Sequence, residues 1–157
     1  MMQAEAFQDL IPDNRCFGCG PRNEHGLRIK SYWDGEESVC TFQPEPFHTA
    51  GPPHFLNGGI TATIVDCHCV CTAIAHTYRA ENRPIGSEPH IWCVTASLNV
   101  RYLKPIYLED PVHLRARVME SDGRRTKIAC SVFSRGSEAA KGEVVAVRVP
   151  PEWRSGL

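Results

Sequence analysis

Hydrophobic positions along this chain follow two different periods. Ile60, Ile64, Cys67, Cys71, Ile74 and Tyr78 recur three or four residues apart, forming one stripe of a helix that begins at about Gly59. Ala62, Asp66, Cys69 and Ala73 form the opposite stripe, which is small rather than charged. From Gly58 to Tyr78 there is no Lys, Arg or Glu. A helix uncharged on nearly every side is a buried helix, so the remainder of the chain has to wrap it. Asp66 is the anomaly, because a carboxylate in so apolar a helix is costly to bury unless it is paired or functional.

Period two governs the chain beyond the helix. In the run Ile91–Leu103, Leu98, Val100 and Tyr102 alternate with Ser97, Asn99 and Arg101. Next, Val112, Leu114, Ala116 and Val118 alternate with His113, Arg115, Arg117 and Met119. Asp122-Gly123 turns into a run where Ile128, Cys130 and Val132 face one way, and Gly136 into a last run with Val145, Val147 and Val149. Two shorter strand-like runs, Leu27–Trp33 and Ser38–Gln43, precede the helix and are joined by Asp34-Gly35, a hairpin signal. The segment up to about Glu24 reads as irregular, with one short helix near Ala4–Leu10. Alternation joined by tight turns is the mark of an antiparallel sheet, so the expected class is α+β: one long helix against a curled sheet.

Composition narrows the context. A chain of 157 residues without an internal repeat or long linker is expected to form one domain over 1–157. The formal net charge of −1 argues against nucleic-acid or membrane-surface partners. The opening MMQAEAFQDLIPDN lacks a basic start and an apolar run, so no secretory signal is expected. No apolar stretch is expected to span a membrane, since Asp66 and His68 break the longest one. Of the eight cysteines, Cys67, Cys69 and Cys71 lie too close together to organise a disulfide framework, which fits a reducing, cytoplasmic setting.

Three segments carry a family resemblance: CFGCGPRNEHGLRI, NGGITATIVD and VTASLNVRYLKPI. Together they resemble the PaaI-like acyl-CoA thioesterases of the hotdog-fold superfamily, over roughly residues 14 to 149. The resemblance implies hydrolysis of an acyl-CoA thioester by water, without metal or covalent cofactor. It also implies a homodimer with sites between subunits, or a dimer of dimers (a homotetramer). Residue by residue, it implies that the backbone N–H of Gly58 polarises the carbonyl and that Asp66 is the base or nucleophile. It places Thr95 where related enzymes put a hydroxyl that helps hold the water. Asn57 stands where the motif usually has His, and the loop between Asp66 and Thr95 is longer than in compact members.

The implied chemistry agrees with the residues themselves. A helix N-terminus presents free N–H groups and a partial positive charge to a developing oxyanion. Glycine there, at Gly58 and Gly59, lets a carbonyl approach the backbone. Asp66 in an apolar wall would have a raised pKa, suited to a general base. Asn57 is expected to position rather than to shuttle protons. The expected substrate contacts are Gly59, His54, Arg101 and Lys104, with Arg124 and Arg125 as further candidates for the coenzyme phosphates. The acyl group is not legible, because a pocket is assembled from several separate segments.

Two other readings remain at this point. One is a hotdog dimer that binds acyl-CoA or another ligand without turnover, motivated by Asn57 in place of His. The other is a zinc or redox protein built on Cys16 and Cys19, whose spacing is that of a zinc knuckle. One CxxC supplies half of a tetrahedral site, with His25, His48 and His54 as candidates to complete it. Cys67, Cys69 and Cys71 do not form a three-thiolate cluster among themselves, since Cys69 points away from the other two. The expectation is therefore no metal.

Overall fold

The computed structural model describes residues 4–156. Helix α1 (Phe7–Leu10) is followed by strands β1 (Ser31–Asp34) and β2 (Glu37–Phe42). A 3₁₀ turn, Pro46–His48, leads to the long helix α2 (Gly58–Ala80). Strands β3 (Trp92–Tyr102), β4 (Val112–Ser121), β5 (Arg125–Ser134) and β6 (Ser137–Val149) complete the domain, before a last 3₁₀ turn at Pro151–Ser155. All six strands form one antiparallel sheet in the order β1-β2-β4-β5-β6-β3. This is the expected α+β arrangement of a hotdog fold, one long helix against a curled sheet.

Alternation builds the inner face of the sheet. Val112, Leu114 and Ala116 of β4, Ile128, Cys130 and Val132 of β5, and Ala140, Val144 and Ala146 of β6 are buried. Most of both stripes of α2 is buried, with Ile64, Val65, Cys69 and Ala73 wholly inaccessible and Ile60, Ala62 and Asp66 partly exposed. α2, at 23 residues, is long and apolar enough by composition to cross a membrane. Here that apolarity is turned inward, with 61% of the window buried by the sheet and the N-terminal segment. The expectation that Asp66 and His68 break the span is thus corrected, since two polar residues do not outweigh so many apolar ones.

His68 is wholly buried, and hydroxyls face both ring nitrogens: Ser31 Oγ at 2.7 Å from Nδ1 and Ser38 Oγ at 3.2 Å from Nε2. Gln8 and Thr72 extend this network to α1 and along α2. Polar groups so buried are tolerable because each finds a partner.

The expected strand Leu27–Trp33 begins only at Ser31. Arg28 has φ 50°, which interrupts the extended run. Leu27 and Ile29 donate their N–H groups instead to the carbonyls of Phe17 and Gly18. The N-terminal segment is irregular, as expected, yet Phe7, Gln8, Ile11 and Asn14 are all buried. Strand β3 departs most from its pattern. It lies at the sheet edge, slips register between Thr95 and Ser97, and leaves Leu98 and Tyr102 40% and 52% exposed.

Candidate active site

The start of α2 has a specific hydrogen-bonding arrangement. Asn57 is the N-cap, and its Oδ1 accepts from the N–H groups of Gly59 (2.8 Å) and Ile60 (3.2 Å). The N–H of Thr61 goes to the Asn57 carbonyl, and the Asn57 N–H to the carbonyl of His48. Among the described residues, the Gly58 N–H meets no acceptor. It is exposed, at the positive end of a 23-residue helix, and free to donate to a ligand. Asn57 therefore fixes the first turn and leaves one donor available, a role that Asn before a glycine pair could have signalled.

Tyr102 adjoins this helix start, a contact that the sequence pattern does not reveal. Its hydroxyl donates to the Gly58 carbonyl at 2.5 Å, and its ring lies 3.7 Å from where a Cβ on Gly58 would sit. Burial raises the Tyr102 phenol above its ordinary pKa, keeping it protonated as a donor. Alternation assigns it only an inward parity shared with Leu98 and Val100. What it meets there depends on how β3 crosses the end of α2. A cleft of about 390 Å³ opens beside Gly58, lined by Phe55, Leu56, Thr61, Tyr102 and Lys104 among others.

Two turns further along α2, Thr95 Oγ1 donates to Asp66 Oδ1 at 2.6 Å. The register slip after Thr95 accompanies its turning toward the helix. The long loop before β3 thus does not separate the pair. Asp66 is half-buried, and desolvation raises its carboxyl above the usual range, opposed by the Thr95 hydrogen bond. A second cavity, about 230 Å³, adjoins Asp66 and Thr95 and is otherwise lined by Cys16, Cys19, Cys67 and Trp92 among others. Gly58 and Asp66 therefore open into different cavities of the chain.

The other expected contacts divide. Lys104 lines the Gly58 cleft, while the Gly59 N–H is committed to the cap. His54 is exposed outside that cleft, its backbone carbonyl accepting from Leu108. Arg101 points to the outer face of the sheet, in a groove with Asn99, Arg115 and Lys141. Arg124 and Arg125 lie at the β4–β5 turn, at the Thr95 end of the sheet, where Arg125 pairs with Val147 and Thr95 with Ala146.

Comparison with known proteins agrees with the fold. A sequence profile described as the thioesterase superfamily matches residues 54–141, from the approach loop to mid-β6. A thioesterase superfamily protein from Shewanella loihica is 33% identical, with a TM-score of 0.64, over 81% of this chain and 96% of that one. The PaaI protein from the phenylacetic acid degradation operon of E. coli shares the fold (TM-score 0.63, 13% identity, covering 79% of this chain and 81% of that one). Among curated proteins, acyl-coenzyme A thioesterase THEM4 of Xenopus laevis is 30% identical over 109 residues, 69% of this chain and 43% of its own length. Its Mus musculus counterpart is 28% identical over 119 residues, 74% of this chain and 45% of its own. The chain thus spans less than half the length of the curated relatives it matches. With more than half of its residues matched by that profile, and with a 33% identical structure covered almost end to end, the chain belongs to the thioesterase superfamily.

Proposed function

We propose that this chain is an acyl-CoA thioesterase, acting as a homodimer whose two active sites each take Gly58 from one protomer and Asp66 from the other. The observation that carries the reading is a free N–H at the start of α2 together with a hydroxyl-held carboxylate eight positions along it. Water held by Asp66 and Thr95 attacks the thioester carbonyl, and the Asp66 carboxylate takes its proton. The oxyanion that develops accepts from the Gly58 N–H. Collapse of the tetrahedral adduct breaks the C–S bond, and the coenzyme thiolate leaves with a proton. The carboxylic acid product takes up the water oxygen. Neither a metal nor a covalent cofactor takes part in these steps.

The need for two chains comes from distance. Eight positions at about 1.5 Å each separate Gly58 from Asp66 by roughly 12 Å along one helix. A base has to come within about 3 Å of the water it activates. An antiparallel copy of α2 brings Gly58 of one chain toward Asp66 of the other. Edge strand β3, with Leu98, Tyr102 and Leu103 exposed, gives the copies a surface on which to pair. The same pairing would bring Lys104 at the Gly58 end toward Arg124 and Arg125 at the Thr95 end, as candidate contacts for the coenzyme phosphates. A reducing, cytoplasmic setting is proposed for the chain, from the close placement of Cys67, Cys69 and Cys71 on one helix.

The test is free-thiol release from a panel of acyl-CoAs, with the parent and with Asp66→Asn. Asn keeps the shape and removes the base, so a fall of roughly 10²–10⁴ in kcat is expected for a folded variant. Binding of acyl-CoA by the parent with no thiol release would instead favour the non-catalytic dimer. A near-parental rate in Asp66→Asn would remove Asp66 from the mechanism.

A further inference from the structure

The thiols beside Asp66 are arranged more specifically than packing requires. Cys67 and Cys71 are one turn apart on α2, on the side facing the Cys16-Phe17-Gly18-Cys19 turn. The Sγ atoms of Cys16 and Cys67 are 3.6 Å apart, and those of Cys19 and Cys71 are 3.7 Å apart. Those of Cys16, Cys19 and Cys67 all lie within 4.8 Å of one another. With zinc–sulfur bonds of about 2.3 Å, the sulfur–sulfur edge of a tetrahedral centre is about 3.8 Å. Two edges of such a tetrahedron are therefore already at length, while Cys71 Sγ lies beyond 4.8 Å from at least one of Cys16 and Cys67 and has to swing inward on binding.

Two further observations separate a ligand site from four small apolar side chains in contact. Asn14 is buried (2% exposed), and its Nδ2 donates to Cys19 Sγ at 3.6 Å, while its Oδ1 accepts from the Cys16 N–H. A buried amide aimed at sulfur is the kind of partner that offsets thiolate charge around a metal. The turn also has no room for side chains. A Cβ on Gly18 would sit 2.3 Å from Cys67 Sγ, and one on Gly20 would sit 2.4 Å from the Cys16 backbone nitrogen. Gly18 lets the CxxC turn close onto the helix until the sulfurs meet, and Gly20 lets the turn close on itself.

We propose that Cys16, Cys19, Cys67 and Cys71 form a tetrahedral thiolate site for Zn²⁺, which fastens the N-terminal segment to α2. The cation displaces one proton from each thiol to solvent, giving a centre of net charge −2 supported by Asn14. The site is structural: its four ligands close the coordination sphere and leave no position for water or substrate. The sequence supplies Cys16 and Cys19 as half of a site, and the expectation of no metal assumes that a second half is missing. The helix provides it as a pair at i and i+4, which neither a CxxC search nor the histidines reveal.

The site is tested by metal analysis of reduced protein purified without added metal, and by Co²⁺ titration of the stripped protein. About one zinc per chain is expected, with a thiolate-to-cobalt charge-transfer band of four-thiolate intensity. Cys16→Ser and Cys19→Ser should each reduce retained zinc to below about a tenth of an equivalent, while Cys40→Ala retains it in full. If the serine variants do not fold, the parent still decides the matter. Exposed Cys16 should react with a thiol reagent only after a chelator is added. Absence of zinc with no charge-transfer band, a Cys16–Cys67 disulfide in place of metal uptake, or Cys16 reacting equally with and without chelator would each overturn the site.

Discussion

Asn57 separates helix capping from oxyanion binding, because two substitutions affect the two differently. Asn57→Ala removes the acceptor for the Gly59 and Ile60 N–H groups. Loss of such a cap costs about 1 kcal/mol, within a range of roughly 0.5–2, or about 2–4 °C in Tm for a chain of this size. Two freed donors and a loosened first turn should also lower kcat moderately. Asn57→Asp restores the cap, since Asp serves that position about as well as Asn, so Tm should return to the parent value. It also places a negative charge beside the Gly58 N–H, the proposed position of the oxyanion. At about 4 Å the repulsion is roughly 1 kcal/mol in water and roughly 4 kcal/mol at an effective dielectric of about 20. This exposed position favours the lower part of that range, so kcat should fall by roughly tenfold to a hundredfold. The assay is thiol release at saturating acyl-CoA beside thermal melting. A fully active Asn57→Asp would mean that no oxyanion forms at Gly58. An Asn57→Ala that melts with the parent would show that the cap does not hold the first turn.

The remaining predictions concern the carboxylate and the buried polar network. Thr95→Val keeps the side-chain shape and removes the 2.6 Å hydrogen bond to Asp66. With the carboxylate no longer oriented, kcat should fall by roughly tenfold with little change in KM, and an unchanged kcat would take Thr95 out of the site. Burial lowers His68 from 6.5 to about 4 in the folded chain. The unfolded chain then takes up a proton that the folded one refuses, so stability should be constant above about pH 7 and fall between about 6.5 and 4, by up to about 3 kcal/mol. Urea midpoints of the parent and His68→Gln across that range should diverge as pH falls, and parallel curves would refute the assignment.

How much of the molecule is legible in its sequence depends on the kind of signal each feature carries. The helix and four long strands are legible because burial imposes a period on consecutive residues. Gly58, Asp66 and Asn57 are legible because they share one local motif. The Thr95–Asp66 contact is reached only through resemblance, since a register slip in β3 is set by pairing with β6 and leaves no local pattern. Tyr102 and the truncation of β1 are not reached, because each depends on a segment distant in the chain: the start of α2 for one, the CxxC turn for the other. Arg101 is a candidate by charge alone, which does not reveal the face of the sheet to which a side chain points.

The shared site is tested most directly by mixing two inactive chains. One carries Asp66→Asn. The other carries Gly58→Pro, which removes the N–H at a helix position where Pro is well tolerated. A Cβ at Gly58 would come no closer than 3.6 Å to Tyr102, so the first side-chain carbon has room. Neither homodimer should hydrolyse acyl-CoA. In a heterodimer purified through two different tags, Gly58 of the first chain meets Asp66 of the second, so one of the two sites should work, at about half of parental activity. No recovery in verified heterodimers of folded chains, or full activity in a dilute monomer, would contradict a site built from two protomers.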